Sequence, residues 1–338
     1  MTINAPVLGS ILAIVLLGPL GGVESALAAS EDPAIVSELK VTTLSTMLTE
    51  FRGVGEWGFA ALVEADGHTI LFDTGMRPDT VLKNAEELGI DLSSVDTVIL
   101  SHNHFDHTGG LVTLRRSLRS TNPSALQVTH VGEGIFLPRK LDDAAVSKSL
   151  IPKELLVDIV NVRQDYETEG GRFVVHGKPH ELHPGVWITG PIPRLHPEKN
   201  WSPVSQIERN GALVEDTIPE DQALVIHTEK GLVVIAGCGH AGIVNTMEYA
   251  RELVPGIPVH AVLGGFHLLA LTDEKVDWTG AKMNEFGVEH VLGAHCTGIN
   301  AVKLLRDAAN LDRDTSVVGA VGSTFTLGQG IQLGRLNR

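Results

Sequence analysis

Residues 101–110 have the sequence SHNHFDHTGG and follow the apolar segment TVIL (97–100), which predicts a buried strand. Four side chains of metal-binding types fall within six positions of this stretch: His102, His104, Asp106 and His107. Side chains at these spacings cannot all face one side of a helix or a strand, but in a loop that leaves a strand end they can surround one point. Neutral imidazoles and a carboxylate are good ligands for zinc and similar divalent ions.

Four ligands on so short a loop could hold two adjacent metal ions, so we expect one or two divalent ions. We expect His102 and His104 to bind one ion, and Asp106 and His107 to bind the other. The Gly-Gly pair that follows would let the next helix begin close to the ions, because glycine has no side chain to keep the backbone away. Zinc is the expected metal, with manganese or iron as alternatives. An exposed histidine-rich turn without metal is the alternative interpretation.

The size and charge of the chain limit the classes of partner. Of the 338 residues, 43% are hydrophobic, which is enough for a sizeable buried core. The formal net charge of −15 at pH 7 argues against nucleic acid or an anionic membrane surface as the general partner. Only two cysteines occur, Cys238 and Cys296, so a disulfide framework is not indicated. A small-molecule substrate is therefore the expected partner, and the sequence does not indicate an oligomeric state.

The N-terminus has features of an export signal. Residues 7–20, VLGSILAIVLLGPL, are apolar but too few to span a bilayer comfortably. Small residues at Ala26 and Ala28 suit cleavage after Ala28. We therefore predict a signal peptide at 1–28, an exported or periplasmic protein, and no stable membrane span after signal removal. Because no Lys or Arg precedes Lys40, an uncleaved anchor and a misassigned start codon stay open, and without a signal the protein would be cytoplasmic.

The first half of the chain predicts short strands followed by helices. The predicted strands are KVTTLST (40–46), FAALVEA (59–65), TILFD (69–73) and TVIL (97–100). An Asp-Gly pair at 66–67 predicts a hairpin turn. The predicted helices are 77–90, with Pro78 in its first turn and Gly89 near its end, and a second one that begins at 109. Residues 121–220 predict a less regular, insert-like region rich in Pro, Gly and charge.

Regular structure resumes after residue 220. QALVIHT and LVVIAG predict a second hairpin, joined at EKG. Predicted helices at 243–254, 275–287 and 299–310 alternate with the strands VHAVLG and EHVLG, and residues 316–326 predict a last strand. Two successive halves, each β and then α, predict one α/β domain over 29–338. In that domain two mixed β-sheets pack face to face with helices outside, an αββα sandwich.

Several motifs, together with the opening stretch, resemble a known family. HNHFDH (102–107) is the H-x-H-x-D-H signature of the metallo-β-lactamase superfamily, and ILFDTG (70–75) resembles the Asp-bearing strand that precedes it there. Within the superfamily the chain is more similar to the branch named for 7,8-dihydropterin-6-methyl-4-(β-D-ribofuranosyl)-aminobenzene-5′-phosphate synthase. The motifs shared with that branch are GCGHAGIVNT (237–246), GGFHL (264–268) and HCTG (295–298). The resemblance is weakest over 121–220.

The resemblance implies the metallo-β-lactamase form of the αββα sandwich and the activity of a metal-dependent hydrolase. A metal-activated water would attack an ester, lactone, amide or phosphoester bond, and Asp106 or a neighbouring histidine would handle the proton. One alternative is C–N bond formation of the kind for which the synthase branch is named. Another is a thiol-ester or sulfur-transfer member that uses iron. A third is a metal-binding or sensing domain without turnover, against which the intact four-ligand loop argues.

The resemblance also adds site residues outside the loop. It implies that His295, after the strand EHVLG, is the last ligand and binds the second ion. Relatives have a bridging aspartate at the strand end where this chain has GCGH, so either His240 or Cys238 reaches a metal, or water alone bridges the ions. We favour His240, because glycines flank it and permit close approach. His267 in GGFHL would supply a missing ligand or touch the substrate.

Other residues are expected to have supporting roles. Asp73, at a strand end, would accept a hydrogen bond from a ligand histidine or from loop amides and so fix the orientation of the ring without touching the metal. We expect the remaining nine histidines to be structural or surface residues: His68, His130, His176, His180, His183, His196, His227, His260 and His290.

Overall fold

The computed structural model describes residues 1–2, 33–141, 159–201 and 205–332. The predicted signal peptide lies outside the described residues, apart from its first two positions. Within these described ranges, no helix is long and apolar enough to cross a membrane. The chain from Pro33 onward forms one compact unit, and every strand and helix given below belongs to it.

The described part of the chain contains eighteen strands. In chain order they are β1 (Leu39–Ser45), β2 (Ala60–Ala65), β3 (His68–Phe72), β4 (Thr97–Ile99), β5 (Val128–Gly132), β6 (Arg139–Leu141), β7 (Arg172–His176), β8 (His180–His183), β9 (Val186–Ile188), β10 (Ser205–Arg209), β11 (Ala212–Glu215), β12 (Ala223–Thr228), β13 (Gly231–Ala236), β14 (Val259–Gly264), β15 (His290–Gly293), β16 (Ser316–Val318), β17 (Thr324–Thr326) and β18 (Gly330–Gln332). The α-helices are α1 (Thr80–Leu88), α2 (Phe105–Thr108), α3 (Leu111–Leu118), α4 (Ile159–Thr168), α5 (Ile243–Leu253), α6 (Asp273–Glu285) and α7 (Ile299–Ala308).

The strands form two large sheets and one small sheet. The first has the order β18-β17-β1-β2-β3-β4-β5-β7, and the second has the order β16-β15-β14-β13-β12-β9-β8. Both are mixed, because β3, β4, β5 and β7 run parallel in one sheet and β13 to β16 run parallel in the other. Strands β11, β10 and β6 form the small sheet. The two predicted hairpins, β2–β3 and β12–β13, are confirmed as antiparallel pairs.

The hydrophobic side chains divide into three main layers. One cluster contains inward-facing residues of both large sheets, such as Phe72 and Ile99 from the first and Leu263 from the second. A second cluster lies between the second sheet and helices α5, α6 and α7. A third lies between the first sheet and helices α1, α3 and α4. This is the order helix, sheet, sheet, helix, so the predicted αββα sandwich is confirmed.

The sequence was misleading in three regions. The described part of 121–220 is more regular than expected, because β5 and β7 extend the first sheet while β8 and β9 extend the second. Residues 316–326 are not one strand, because β16 joins the second sheet and β17 joins the first. Helix α1 begins at Thr80 with Asp79 at its N-cap, so Pro78 precedes the first turn, whereas Gly89 ends the helix with a left-handed φ of 71° as expected.

Gly109 brings the metal-binding loop against the first sheet. Its backbone N–H lies 3.0 Å from the carbonyl oxygen of Gly75, and a Cβ on Gly109 would lie 1.9 Å from the carbonyl oxygen of Met76. Its φ is not positive, so the requirement for glycine is one of space rather than of backbone conformation. The expected role of the Gly-Gly pair in close approach therefore has a physical basis at this position.

We expect Gly109→Ala to lower the free energy of unfolding by about 3 kcal/mol or more, because the backbone must shift to relieve the overlap. Gly177→Ala is the matched control: its φ is also not positive, and its Cβ would meet only the end of the Glu133 side chain. That variant should change stability by less than about 0.5 kcal/mol. Urea unfolding of both variants measures the difference, and equal losses would contradict the close approach.

Candidate metal centre

Strands of the first sheet bring the H-x-H-x-D-H loop beside Asp73. Strands β3 and β4 are parallel neighbours, so the residues that follow them meet at one edge of the sheet. Asp73 follows β3, and its Oδ1 accepts a hydrogen bond from the backbone N–H of Ser101 at 2.7 Å. The backbone N–H of Thr74 donates to the carbonyl oxygen of His107 at 2.8 Å. Where a loop was expected, Phe105–Thr108 instead form a helical turn, α2, with His104 at its N-cap.

Strands of the second sheet bring three further histidines to the same place. Strands β13, β14 and β15 are parallel, and their carboxyl ends therefore lie at one edge. His240 follows β13, His267 follows β14 and His295 follows β15. Loops at the carboxyl ends of parallel strands are where ligand sites commonly form in α/β folds.

His102, His104 and His240 form the first group. Each offers a ring nitrogen, and these atoms lie within 4.8 Å of one another. Ser101 Oγ lies 2.9 Å from Nδ1 of His102, and Nδ1 of His240 donates to the carbonyl oxygen of Asn200. These contacts leave Nε2 of His102 and Nε2 of His240 buried and without a hydrogen-bond partner among the described residues. A buried nitrogen in that condition is costly unless something else satisfies it.

Asp106, His107 and His295 form the second group, with ligand atoms again within 4.8 Å of one another. Oδ2 of Asp106 lies 3.3 Å from Nε2 of His295. Nδ1 of His107 donates to Oδ2 of Asp73 at 2.7 Å, which leaves Nε2 of His107 facing the centre. Oδ1 of Asp106 and both ring nitrogens of His295 are buried without a hydrogen-bond partner in the described chain. Asp73 thus has the contact expected of a residue that orients a ligand.

Cys238 lies between the two groups. Its Sγ is 3.1 Å from Nε2 of His107 and 3.2 Å from Sγ of Cys296, and both cysteines are buried free thiols. The sulfur also belongs to a close group with His240 and His267. The thiol of Cys238 is therefore close to ligand-type atoms of both groups, while His240 completes the first group. Cys238 and His240, the two candidates in GCGH, both remain predicted ligands.

His267 lies at the margin of the first group. Its ring centroid is 4.6 Å from that of His240, and its Nδ1 is buried without a partner in the described chain. Its φ of 51° is left-handed, as are those of Asp73 at 57° and His295 at 48°. Left-handed backbone is uncommon outside glycine and often occurs at functional sites, where the surrounding structure holds it. A ligand role and a substrate contact both remain predictions for His267.

Charge at the centre favours neutral imidazoles in the first group and an ionised carboxylate in the second. Burial lowers the pKa of His104 to about 4 although Asp106 opposes this, and burial lowers the pKa of His102 and His240 well below the usual value. Burial also acts to lower the pKa of His107, but the carboxylates of Asp73 and Asp106 outweigh it and raise the pKa to about 9. For Asp106, burial acts to raise the pKa, but His107 and His295 outweigh it and lower the pKa.

Buried histidines should cost stability as the metal-free protein is acidified, whereas the carboxyls of Glu198 and Asp221, whose pKa burial raises to about 7, act in the opposite direction. Burial holds the pKa of His104 and of His130 at about 4 in the folded chain, against 6.5 as the ordinary value. The unfolded chain therefore binds protons first as the pH falls from 6.5 towards 4, and each histidine costs on the order of 3 kcal/mol across that window. His107 acts in the opposite direction, because its pKa is raised to about 9 in the folded chain. Its contribution to the free energy of unfolding is fully present below pH 6.5 and is lost as the pH rises to about 9.

Urea unfolding of chelator-treated protein at several pH values tests this expectation. In the variant His130→Gln, the free energy of unfolding should depend less steeply on pH between 6.5 and 4. The difference should equal the contribution of one histidine, because glutamine does not titrate. A pH dependence of the free energy of unfolding that is the same in His130→Gln and in the wild-type protein between pH 6.5 and pH 4 would contradict the assignment.

Three residues of the centre have no signal in the sequence that would have singled them out. Ser101 precedes the motif directly, and its Oγ also contacts Oδ2 of Asp73 at 2.7 Å. Asn200 comes from the region that was expected to be irregular, and it contacts a histidine forty positions away. The Trp57 ring lies 5.0 Å from that of His295 and forms one wall of the centre. Only proximity in the folded chain connects Asn200 and Trp57 with the motif.

The family model of the metallo-β-lactamase superfamily matches residues 58–256. The chain belongs to this superfamily. A 7,8-dihydropterin-6-methyl-4-(β-D-ribofuranosyl)-aminobenzene-5′-phosphate synthase of Methanocaldococcus jannaschii is 30% identical over 297 residues, which cover 85% of this chain and 97% of the relative. An uncharacterised protein of the same organism is 27% identical over 84% of this chain and 98% of its own length. Superfamily membership and the likeness to the synthase branch, both expected from the motifs, are confirmed.

Solved structures of the superfamily are also similar. The crystal structure of Tm1679, a metal-dependent hydrolase of the β-lactamase superfamily, has a TM-score of 0.65 at 27% sequence identity. The similar region covers 85% of this chain and 98% of Tm1679. The superfamily fold therefore extends over nearly all of that relative.

Proposed function

We propose that this protein is a metal-dependent hydrolase with two divalent ions, expected to be zinc. The observation that carries the proposal is the convergence of buried, unpartnered ligand atoms on one place: Nε2 of His102 and His240, Oδ1 of Asp106, and both ring nitrogens of His295. Neutral imidazoles with one carboxylate fit zinc and similar ions, whereas hydrogen bonds within the described chain leave these atoms unsatisfied. The residues present therefore fit the metals that the superfamily usually binds.

In this proposal each group would hold one ion. His102, His104 and His240 would hold the first, and Asp106, His107 and His295 would hold the second. When bound, the ions would lower the pKa of a water towards about 7 and polarise a carbonyl or phosphoryl oxygen. Asp73 fixes the ring of His107 and the Asn200 carbonyl fixes the ring of His240, so that in both rings Nε2 points inward.

Side chains of the protein would accept the proton of the attacking water and would keep bulk water out of the centre. Asp106 stays ionised at neutral pH because His107 and His295 lower the pKa of its carboxyl, which suits a metal ligand but weakens it as a proton acceptor. Asp106 or a neighbouring histidine would handle the proton. The centre is buried, and Trp57 covers its His295 side. A buried site strengthens the electrostatic interaction of these groups with a substrate. The expected bonds are esters, lactones, amides and phosphoesters.

C–N bond formation is the second candidate function. It is supported by the 30% identity with the synthase of M. jannaschii, which extends over 97% of that protein. The fold itself does not decide between the two reactions, because one fold can host many functions. A binding or sensing domain without turnover is less well supported, because all four ligand-type side chains of the loop are present and converge.

A substrate panel tests the proposal. Protein purified without chelator should hydrolyse at least one of a set of chromogenic esters, lactones and bis-aryl phosphates, and a strong chelator should abolish the activity until zinc or manganese is restored. Activity on the panel that persists after complete metal removal would overturn the metallohydrolase proposal. A metal-loaded protein that is inactive on every member, but that forms a C–N bond between a dihydropterin and an aminobenzene derivative, would favour the second candidate.

A further inference from the structure

Five histidines that the sequence assigned to structural or surface roles form two groups: the ring of His68 stacks on that of His183, and the rings of His130, His176 and His180 contact one another. His68, His130 and His176 lie on the first sheet, whereas His180 and His183 lie on β8 at the edge of the second. In the strand register His130 lies opposite Ile99, and His180 lies opposite Ile188. Ile99 and Ile188 both belong to the core between the sheets, so these two histidines project between the sheets from opposite sides.

Three of the five rings form a compact group, which we call the edge trio: His130, His176 and His180. The ring centroids are 5.1 Å apart for His130 and His176, 4.8 Å for His176 and His180, and 6.4 Å for His130 and His180. His130 and His176 are largely buried, and His180 is exposed to solvent. Within the described chain, the trio's rings contact one another and none of the rings of the candidate metal centre.

Ring nitrogens of His130 and His176 lie almost as close together as two nitrogen ligands that bind the same metal ion. Nδ1 of His130 lies 2.8 Å from Nε2 of His176, so one proton is shared between two nitrogens. Two nitrogens on a tetrahedral zinc ion with bonds of about 2.0–2.1 Å are roughly 3.3 Å apart. An ion could therefore replace this proton if the two nitrogens moved apart by about half an ångström and the rings turned so that both lone pairs pointed at the ion. The ring of His180, whose centroid is 4.8 Å from that of His176, is adjacent and could turn to supply a third nitrogen.

The charge state of the group also suits a metal. Burial, followed by the neighbouring His176 and His180, holds the pKa of His130 at about 4, and burial lowers the pKa of His176. Both rings are therefore neutral at physiological pH, the form in which imidazole binds metals. Burying hydrogen-bonding groups such as imidazoles costs free energy. Apolar side chains would close the sheet edge without that cost, so a purely structural role does not require histidines here.

We propose that His130, His176 and His180 form a separate binding site for one divalent transition-metal ion of the zinc, copper or nickel type. Imidazole ligands suit these three metals, and three of them leave a fourth position for water. The exposed His180 provides the entry path. Because His176 and His180 belong to different sheets, a bound ion would connect the two sheet edges and stabilise them against separation.

Zinc titration of untagged, chelator-stripped full-length protein tests this site. The His102→Ala/His104→Ala background is used as well, so that failure of the candidate metal centre and failure of the edge site are distinguishable. In both backgrounds His180→Ala should bind about one equivalent less zinc, or bind that equivalent more than about 100-fold more weakly, which exceeds the usual loss of an outer-shell partner. His183→Ala, a change on the same strand outside the trio, should retain the full amount.

His180→Cys gives a positive signal that a structural role would not produce. With Co²⁺ this variant should show cobalt–sulfur charge-transfer absorption in addition to any that comes from Cys238. The wild-type chain and His183→Cys should lack this additional absorption, because only at position 180 would the new thiolate be a ligand. Equal zinc stoichiometry and affinity in the wild-type chain and His180→Ala would overturn the proposal. The absence of this additional cobalt–sulfur absorption in folded His180→Cys would also overturn it.

Discussion

Replacing His102 and His104 together with alanine should remove at least about one equivalent of bound metal and abolish turnover. Both side chains belong to the group that His240 completes, so the double change leaves one of three ligands. A lost ligand should weaken binding by more than the 10–100-fold that is typical of outer-shell partners. Elemental analysis of protein purified without chelator measures the metal, and the substrate panel measures turnover.

His260→Ala/His290→Ala is the matched control for this double variant. Those two rings also contact each other, with centroids 5.1 Å apart, but they lie beside Phe325 in the sandwich core and outside the candidate centre. The control should retain its metal and its activity even if it is less stable. Unchanged metal content in the His102→Ala/His104→Ala protein would end the metallohydrolase account.

His240→Ala should weaken metal binding far more than Cys238→Ser. Nδ1 of His240 is held by the Asn200 carbonyl, so that the unpartnered Nε2 faces His102 and His104. Loss of that nitrogen removes a ligand of the first group. The sulfur of Cys238 can instead be satisfied by its contacts with His107 and Cys296. Metal titration of both single variants decides between the two residues.

The reverse order would assign the ligand to Cys238. The wild-type protein should then prefer softer ions such as cadmium, as thiolates do, and Cys238→Ser should lose that preference. Small and equal losses in both variants would show that neither side chain binds metal. His267 would then be the remaining candidate, because its ring lies against that of His240.

The sequence predicted the parts of the centre that depend on local pattern. His102, His104, Asp106 and His107 are neighbours along the chain, and the strand that precedes them is a continuous apolar run, so their meeting at a strand end followed from local rules. His240 and His295 were located because each follows a predicted buried strand within a motif of the branch. The carboxyl ends of parallel strands then bring such residues together.

The remaining contacts depend on tertiary structure. Asn200 reaches His240, and Trp57 packs on His295 across more than two hundred positions, so no sequence window contains either pair. Strands β5, β7 and β8 were missed because histidines and charged residues interrupt their apolar pattern. His130 and His180 face the space between the sheets. The usual alternation along a strand, with apolar side chains inward and polar side chains outward, does not predict histidines there. Tertiary packing therefore overrode the local signal in 121–220.

Anomalous scattering from crystals of the metal-loaded protein, measured at the absorption edge of the bound metal, tests the central claim most directly. At the candidate metal centre the account predicts two peaks roughly 3.5–4 Å apart, one among His102, His104 and His240 and the other among Asp106, His107 and His295. Crystals of fully loaded protein in which one or both of these groups lack a peak would contradict it.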